Sequence, residues 1–442
     1  MATAPEPGPD LTAATEAARA EVPPELVAQT FGEYVRAYVA RVRNGQSGVL
    51  PVVIGLVAVL VVFEVISPNH VFLSAGNLVN LFQQSAVFIV LAMAETFALV
   101  LGEIDLSIGY VGACGAVIAV QLVQPATTNW PWWAAILAAL AFCAAVGAIQ
   151  GTIISRLGIP SFIVTLAGFL IFNGVMLILL LLGPFSGYPL ISGGNSPNLQ
   201  VLFNLMSGTI DPTVSWIAMA VIVFGLAAIL WSGDQRRRRS GLVAPPPSLT
   251  VLKIVVIAIA GIVVVAISDI NRANFGVLAG VPWVIPIVLG VLGAWTLLLE
   301  RTKFGRSMYA IGGNPEAARR AGINLPVIRT IAFALCSVTA GIGLILYASY
   351  IGGMSNNVQG GQFVLFAVAA AVIGGTSLFG GRGKVIHGVL GGLLIGAIDN
   401  GMYLQNYDVQ RIDIVTGLVL LAAVSIDALS RRSAASGTAN RV

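Results

Sequence analysis

The chain has 442 residues, of which 57% are hydrophobic and only 10% charged, against roughly 25% charged in a soluble domain. Its mean hydropathy of +0.91 comes from many separate apolar runs of roughly 20 residues, each able to cross the bilayer as a helix, so a soluble protein is excluded. A transmembrane β-barrel, which alternates apolar and polar residues over about ten positions, is excluded too. The fold class expected is an all-α, polytopic transmembrane helical bundle, and the net charge of +4 reads as membrane topology, with no nucleic-acid partner.

Residues 1–25 hold Pro5, Pro7, Pro9, Pro23 and Pro24 with scattered Glu and no apolar core, which predicts a disordered cytoplasmic tail that is neither signal peptide nor span. Over 26–46, Phe31, Val35, Tyr38 and Val42 recur every three to five residues with Arg36, Arg41 and Arg43 between them, the pattern of an amphipathic helix lying on the membrane surface. A transmembrane domain over 47–430 follows, with twelve spans at 47–66, 83–101, 106–123, 131–154, 160–182, 214–231, 250–267, 277–299, 327–349, 362–379, 386–404 and 412–429. Residues 431–442 form a cytoplasmic tail. With the N-terminus inside, only Arg272 and Arg411 of the 23 Lys and Arg fall on the outer side. A missed span would invert every later loop, so this partition supports twelve spans with both termini cytoplasmic.

Three loops stand out. The external loop 183–215 is rich in Gly, Pro, Ser and Asn. The cytoplasmic loop 232–249 carries Arg236 to Arg239, which would cost about 10 to 14 kcal/mol in hydrocarbon and so anchors topology. The basic cytoplasmic loop 300–326 contains a helix signal: Asn314 as cap, Pro315 at the first helical position, Glu316 at the positive dipole end, Arg319 and Arg320 at the negative end, and Gly322 as stop. So short a helix, with Ala317, Ala318 and Ala321 as its small face, is marginal alone in water. It either rests on the membrane or docks on a cytoplasmic partner.

Within the spans, Glu95 is the central carboxylate, either lining a pathway or protonated and bonded to a neighbouring helix. Gly388, Gly392 and Gly396 put three notches on one helix face for close packing. Gly102, Leu106 and Gly109 echo Gly374, Leu378 and Gly381 at the same offsets, two segments that read as broken helices near a gate. Cys114, Cys143 and Cys336 lie in apolar runs without CxxC spacing, and His70 and His387 stand alone, so packing is expected rather than metal binding. No GxxxxGK[ST] occurs; no bound cofactor and no catalytic residue are expected, and any ATP hydrolysis falls to a separate subunit.

Twelve spans with inside termini also describe an ion-coupled secondary transporter. Such carriers usually have a basic turn between spans two and three, whereas Gly102-Glu-Ile-Asp-Leu-Ser-Ile-Gly109 has no basic residue. Several motifs are similar to those of the permease subunits of bacterial ABC sugar importers of the ribose and xylose type. They are Glu103-Ile-Asp-Leu-Ser-Ile-Gly109, Ile159-Pro-Ser-Phe-Ile-Val-Thr-Leu166, Tyr309-Ala-Ile-Gly-Gly-Asn-Pro-Glu-Ala-Ala318, Ile373-Gly-Gly-Thr-Ser-Leu378 and Asp399-Asn-Gly-Met402. The likeness runs from about Asn77 to Asp427. The added pair of spans around Arg236–Arg239, and Glu103 where ribose-type members usually carry Gly, resemble the xylose-type branch. The family commonly has a Glu and an Asp where this chain has Val364 and Phe366.

The resemblance implies ATP-driven uptake of a monosaccharide, xylose or a similar pentose, across the bacterial inner membrane. It further implies a homodimer of this chain, an ABC ATPase subunit and an extracytoplasmic sugar-binding protein. It maps the ATPase-coupling helix onto Asn314, Pro315, Glu316, Ala317, Ala318, Arg319, Arg320 and Gly322. Glu95, Glu103, Asp105, Ser107, Thr376, Ser377 and Asn400 are the candidate pathway or gate residues, Glu95 standing outside the family motifs.

Overall fold

The computed structural model describes residues 31–43, 49–126, 128–182, 189–191, 194–241, 244–273, 276–419, 421, 422 and 425. The expected tails 1–25 and 431–442 lie outside these residues, as do both ends of the expected surface helix, of which α1 (Phe31–Arg43) is described. The bundle continues with α2 (Leu50–Ile66), a 3-10 turn (Pro68–His70), α3 (Ala75–Val100), α4 (Ile108–Leu122), α5 (Trp132–Leu157), α6 (Ser161–Leu181) and α7 (Pro197–Ser207). Then come α8 (Pro212–Arg239), α9 (Pro247–Asp269), α10 (Val284–Arg301), α11 (Lys303–Gly313), α12 (Pro315–Arg320), α13 (Leu325–Ile351), α14 (Gly360–Ile373) and α15 (Val385–Leu404). Residues 409–419 are also helical. Among the described residues the only β pairing is two isolated bridges, Leu190 with Gly353 and Thr209 with Pro282.

Among the described residues, eight helices are long and apolar enough to cross a membrane, and α2, α4 and α14 are shorter apolar helices. With 409–419, every expected span coincides with a helix, the twelfth only over its first part. Boundaries shift for physical reasons. The second span starts earlier because Ser74 caps α3, its hydroxyl accepting from the Asn77 N–H. The eighth starts only at Val284, after Gly280 at φ 100 and Pro282. The tenth ends at Ile373 instead of 379, because Gly375 sits at φ 114. The run Arg236–Arg239, expected in a loop, forms the last turn of α8; no helix breaker precedes Gly241 at φ 68, and cations favour a helix C-terminus. The loop expected to be external, 183–215, contains α7, whose Leu199, Leu202 and Met206 are buried.

The chain divides into two compact units. In the unit holding 212–266, α8 and α9 form a hairpin in which Gly261 lies against Met219, Thr250 donates to Asp234, and Arg238 donates to the Pro245 carbonyl at 2.7 Å.

The larger unit, 48–211 with 267–429, is organised by an internal repeat of helix lengths. α3 of 26 residues, the link 101–107, α4 of 15 and α5 of 26 are matched by α13 of 27, the link 352–359, α14 of 14 and α15 of 20. Packing follows the same correspondence: α3 on α15 as α13 on α5, α3 on α14 as α13 on α4, and α4 on α5 as α14 on α15. The repeats run in opposite directions. Glu103, just beyond the end of α3, meets Arg329 near the start of α13, while Gln84 near the start of α3 meets Tyr350 at the end of α13. The counterpart of link 101–107 is therefore 352–359, and the echo between 102–109 and 374–381 is not the structural repeat.

Small residues make both long contacts possible. Gly388, Gly392 and Gly396 of α15 face Ala92 and Met93, Ile89, and Ser85 of α3, while Gly147 and Gly151 of α5 face Phe333 and Thr330 of α13. The two half-length helices meet end to end: Gly109 at the start of α4 lies against the Gly360 carbonyl at the start of α14. The three cysteines are buried, free thiols.

Candidate functional site

Four of the sequence motifs converge where α3 ends. Gly102 turns the chain at φ 77, and the turn after α14 passes through Gly380 and Gly381 at φ 80 and 70, where a side chain would be strained. The Gly381 N–H donates to the Val100 carbonyl at 2.9 Å. Gly312, the penultimate residue of α11, is wedged between the Val100 carbonyl and the Gly381 nitrogen. The Tyr309 hydroxyl, also on α11, donates to the Gly383 carbonyl at 2.7 Å, and burial, with the Glu300 carboxylate nearby, raises its phenol above the usual range so that it remains a donor. On the other side of the α3 turn, Ile104 is held by the third motif: its N–H donates to Ser161 Oγ at 3.4 Å and its carbonyl accepts from Thr165 Oγ1 at 3.3 Å.

From this junction α12 projects. Asn314 Oδ1 accepts from the Ala317 N–H at 3.0 Å, Pro315 takes the first helical position, Glu316 and Arg319 pair at 3.6 Å, and Gly322 at φ 80 ends the turn. The expected small face is corrected in one respect. Ala317 and Ala321 are exposed, but Ala318 is only 4% exposed and faces the chain's own core. A six-residue helix needs one face for seating itself, and Ala318 supplies it; Pro315, Glu316, Ala317, Arg319, Arg320 and the following Ala321 are presented outward.

The candidate pathway residues fall into separate groups. Glu95 Oε1 accepts from the Asp105 N–H at 3.1 Å, Asp105 Oδ1 accepts from the Ser107 N–H and hydroxyl at 2.9 and 2.7 Å, and the Ser107 hydroxyl lies 3.0 Å from Gln150 Oε1. All three candidates are wholly buried; among the described residues Glu95 Oε2 has no hydrogen-bond partner, while the Cys336 thiol faces the Asp105 carboxylate. Link 101–107 thus folds back along α3 and starts α4 inside the bundle, with Asp105 satisfying its first turn. Glu103 pairs with Arg329 at 3.2 Å, both largely covered. Ser377 Oγ accepts from the Phe379 N–H at 3.1 Å, Thr376 lies against Gly383, and both are buried in the turn after α14. Asn400 belongs elsewhere, exchanging hydrogen bonds with Asn77 and donating to Gln84, which in turn donates to Tyr350.

Reading the sequence missed Gln150, Arg329 and the Asn77–Gln84–Tyr350 network. Their signal was a polar side chain in an apolar run, Asn77 and Gln84 seven apart on α3. Val364 and Phe366 are buried, Phe366 edge-on to Phe88 at 5.4 Å, so both serve as hydrophobic packing.

Residues 77–424 match the family described as branched-chain amino acid transport system, permease component. The xylose transport system permease protein XylH of Escherichia coli (strain K12) is 33% identical over 382 residues, which is 86% of this chain and 92% of that one. XylH of Haemophilus influenzae is 34% identical over 387 residues, 85% of this chain and 95% of the relative. The ribose import permease protein RbsC of Escherichia coli (strain K12) is 28% identical over 374 residues, 85% and 92% of the two chains. No solved structure matches.

Proposed function

The chain belongs to the family of permease components of branched-chain amino acid transport systems, and on that premise we propose that it carries xylose or a similar pentose inward through a homodimer of itself. It is a multi-pass inner-membrane transport component, not an enzyme, and its relatives include xylose, allose and ribose permease proteins, which supports an ABC sugar importer; in the proposed reading its ATPase and extracytoplasmic binding protein are separate chains. In the proposed scheme both termini and α12 face the cytoplasm, and the binding protein delivers sugar to the opposite side.

The observation that carries this reading is the mounting of α12. A helix of 6 residues has little stability of its own, yet this one is capped at both ends and rooted through Gly312 and Tyr309 in the turns that end α3 and follow α14. A push on α12 by an ATPase would move those turns, and with them α3 and α14, as one lever. The pentose assignment rests on likeness to the xylose-type relatives, since selection falls to the soluble receptor.

The test is uptake of labelled xylose by proteoliposomes holding this chain with its ATPase, supplied with binding protein outside and ATP inside. Uptake that needs both supports the reading. Uptake by this chain alone, driven by an ion gradient, would mean a secondary transporter and defeat it.

A further inference from the structure

Past its first two turns, α6 carries a single polar side chain, Asn173, near its midpoint. It is half-buried, and it makes no side-chain hydrogen bond among the described residues, unlike Asn77, Gln84 and Asn400. One turn earlier on the same face, Phe169 meets Tyr110 edge-on at 4.8 Å between ring centres. Tyr110 lies over Gly360, where a Cβ would come within 2.6 Å of the ring, and a Cβ on Gly361 would come within 3.2 Å of the Phe169 ring. Both rings are half-buried, and the Tyr110 hydroxyl also makes no hydrogen bond among the described residues.

The half-helices α4 and α14 and the midpoint of α6 therefore share one partly open surface inside the membrane-spanning part of the chain. An amide and a phenol without partners are costly against hydrocarbon, so such groups face water or a polar solute. No acidic or basic residue occurs in α4, α6 or α14, so the surface has no charge with which to hold an ion. Two ring faces with two neutral hydrogen-bonding groups, a phenol and an amide, match a molecule with an apolar C–H face and a rim of hydroxyls.

Resting on the transport function given above, we propose that Tyr110, Phe169 and Asn173 form the intramembrane contact site for a neutral monosaccharide. Phe169 and Tyr110 supply the platform, and the Tyr110 hydroxyl with the Asn173 amide exchange hydrogen bonds with the sugar hydroxyls as it passes. The Gly109–Gly360 approach lets the start of α14 lie directly against Tyr110 of α4. Few contacts and no charge give weak holding, which suits a site the solute must leave.

The experiment uses the full chain with its ATPase and binding protein in proteoliposomes, with labelled xylose as the probe. Asn173→Leu and Tyr110→Phe should each lower uptake at limiting sugar by about three- to tenfold, the size of one lost neutral hydrogen bond. Assembly and binding-protein-stimulated ATP hydrolysis should be retained. In parallel, Asn173→Cys should react with a charged, water-soluble thiol reagent and be protected by excess xylose, while Ile178→Cys on the opposite, 59% exposed face stays unreactive. The native thiols are buried and leave a clean background. Normal uptake by both variants, or an unreactive Asn173→Cys, overturns the site. So does loss of the dimer in Asn173→Leu, which would make this face a contact between copies. Failure of the unsubstituted complex to transport strikes the function itself and is read in the same assay before any variant is compared.

Discussion

Gly312 and Val100 lie backbone to backbone, with the glycine so close to the Val100 carbonyl that a Cβ has no place, and the Gly381 nitrogen closes the other side. Because the obstructing atoms are backbone, they cannot rotate away. Gly312→Ala must lift α11 off the end of α3, and with it the root of α12. Uptake should fall at least about tenfold, since overpacking of this kind costs about 1 to 3 kcal/mol, while membrane insertion is unchanged. Gly313, with nothing within 4 Å of a Cβ, is the matched control, and Gly313→Ala should transport normally in the same vesicles.

The Glu103–Arg329 pair, at 3.2 Å with side chains 15% and 23% exposed, ties the first inverted repeat to the second. Removing one partner leaves a largely covered charge alone, a loss of about 1 to 3 kcal/mol. Arg329→Gln should lower the apparent melting temperature in detergent by several degrees, and Glu103→Gln should do the same. If the pair is what holds the turn, the double variant is less destabilised than the two single effects added together. Strict additivity in this cycle would show that the two residues act separately.

The glycines of α15 set its distance from α3. Gly392 approaches the Ile89 backbone, with the Ile89 Cα 2.6 Å from a Cβ placed on the glycine, and a Cβ placed on Gly388 would lie 2.9 Å from Met93 N. Gly392→Val should force the two helices apart and cut the amount of folded protein recovered in detergent severalfold. Gly174→Val and Gly290→Val, where nothing lies within 4 Å, should leave recovery near normal. Equal yields for all three would refute the packing role.

The spans were legible because hydropathy at a scale of roughly 20 residues reports hydrocarbon thickness directly. Their ends were not, because ends are set by backbone features rather than by polarity: the apolar Leu378 and Phe379 prolong the tenth run past Gly375, where the positive φ stops the helix. The helix α7 carries a readable pattern, Pro197 at its start and Leu199, Leu202 and Met206 on one face, but the Gly-, Pro- and Ser-rich residues around it hid that pattern. The inverted repeat was unreadable, since the links Gly102–Ser107 and Gly352–Gln359 share only shape and helix lengths, and no side-chain pattern survives between them. At the junction, Gly102, Gly312 and Gly381 were each visible as glycines; that Gly312 lies against Gly381, and Gly102 against Gly380, is tertiary information.

The direction of Ala318 supplies the last prediction, because it separates damage to the fold from damage to docking. A helix of 6 residues rooted on the core has an inner and an outer side, and Ala318 is inner at 4% exposure while Ala317 next to it is exposed. Ala318→Trp would drive a large side chain into a packed site, so the variant should lose thermal stability and lose uptake for that reason alone. Ala317→Trp meets no internal neighbour and should leave the melting temperature within about a degree of the parent, as surface changes away from special features do. If the outer side of α12 seats in an ATPase, Ala317→Trp should nevertheless abolish capture of that subunit by the tagged permease and abolish ATP-dependent uptake. If α12 merely rests on the membrane, Trp at this position is favourable at the interface and both activities persist. Thermal melting and ATPase capture measured on the two variants together therefore decide the role of α12, and a stable, fully coupled Ala317→Trp would remove it from the coupling path.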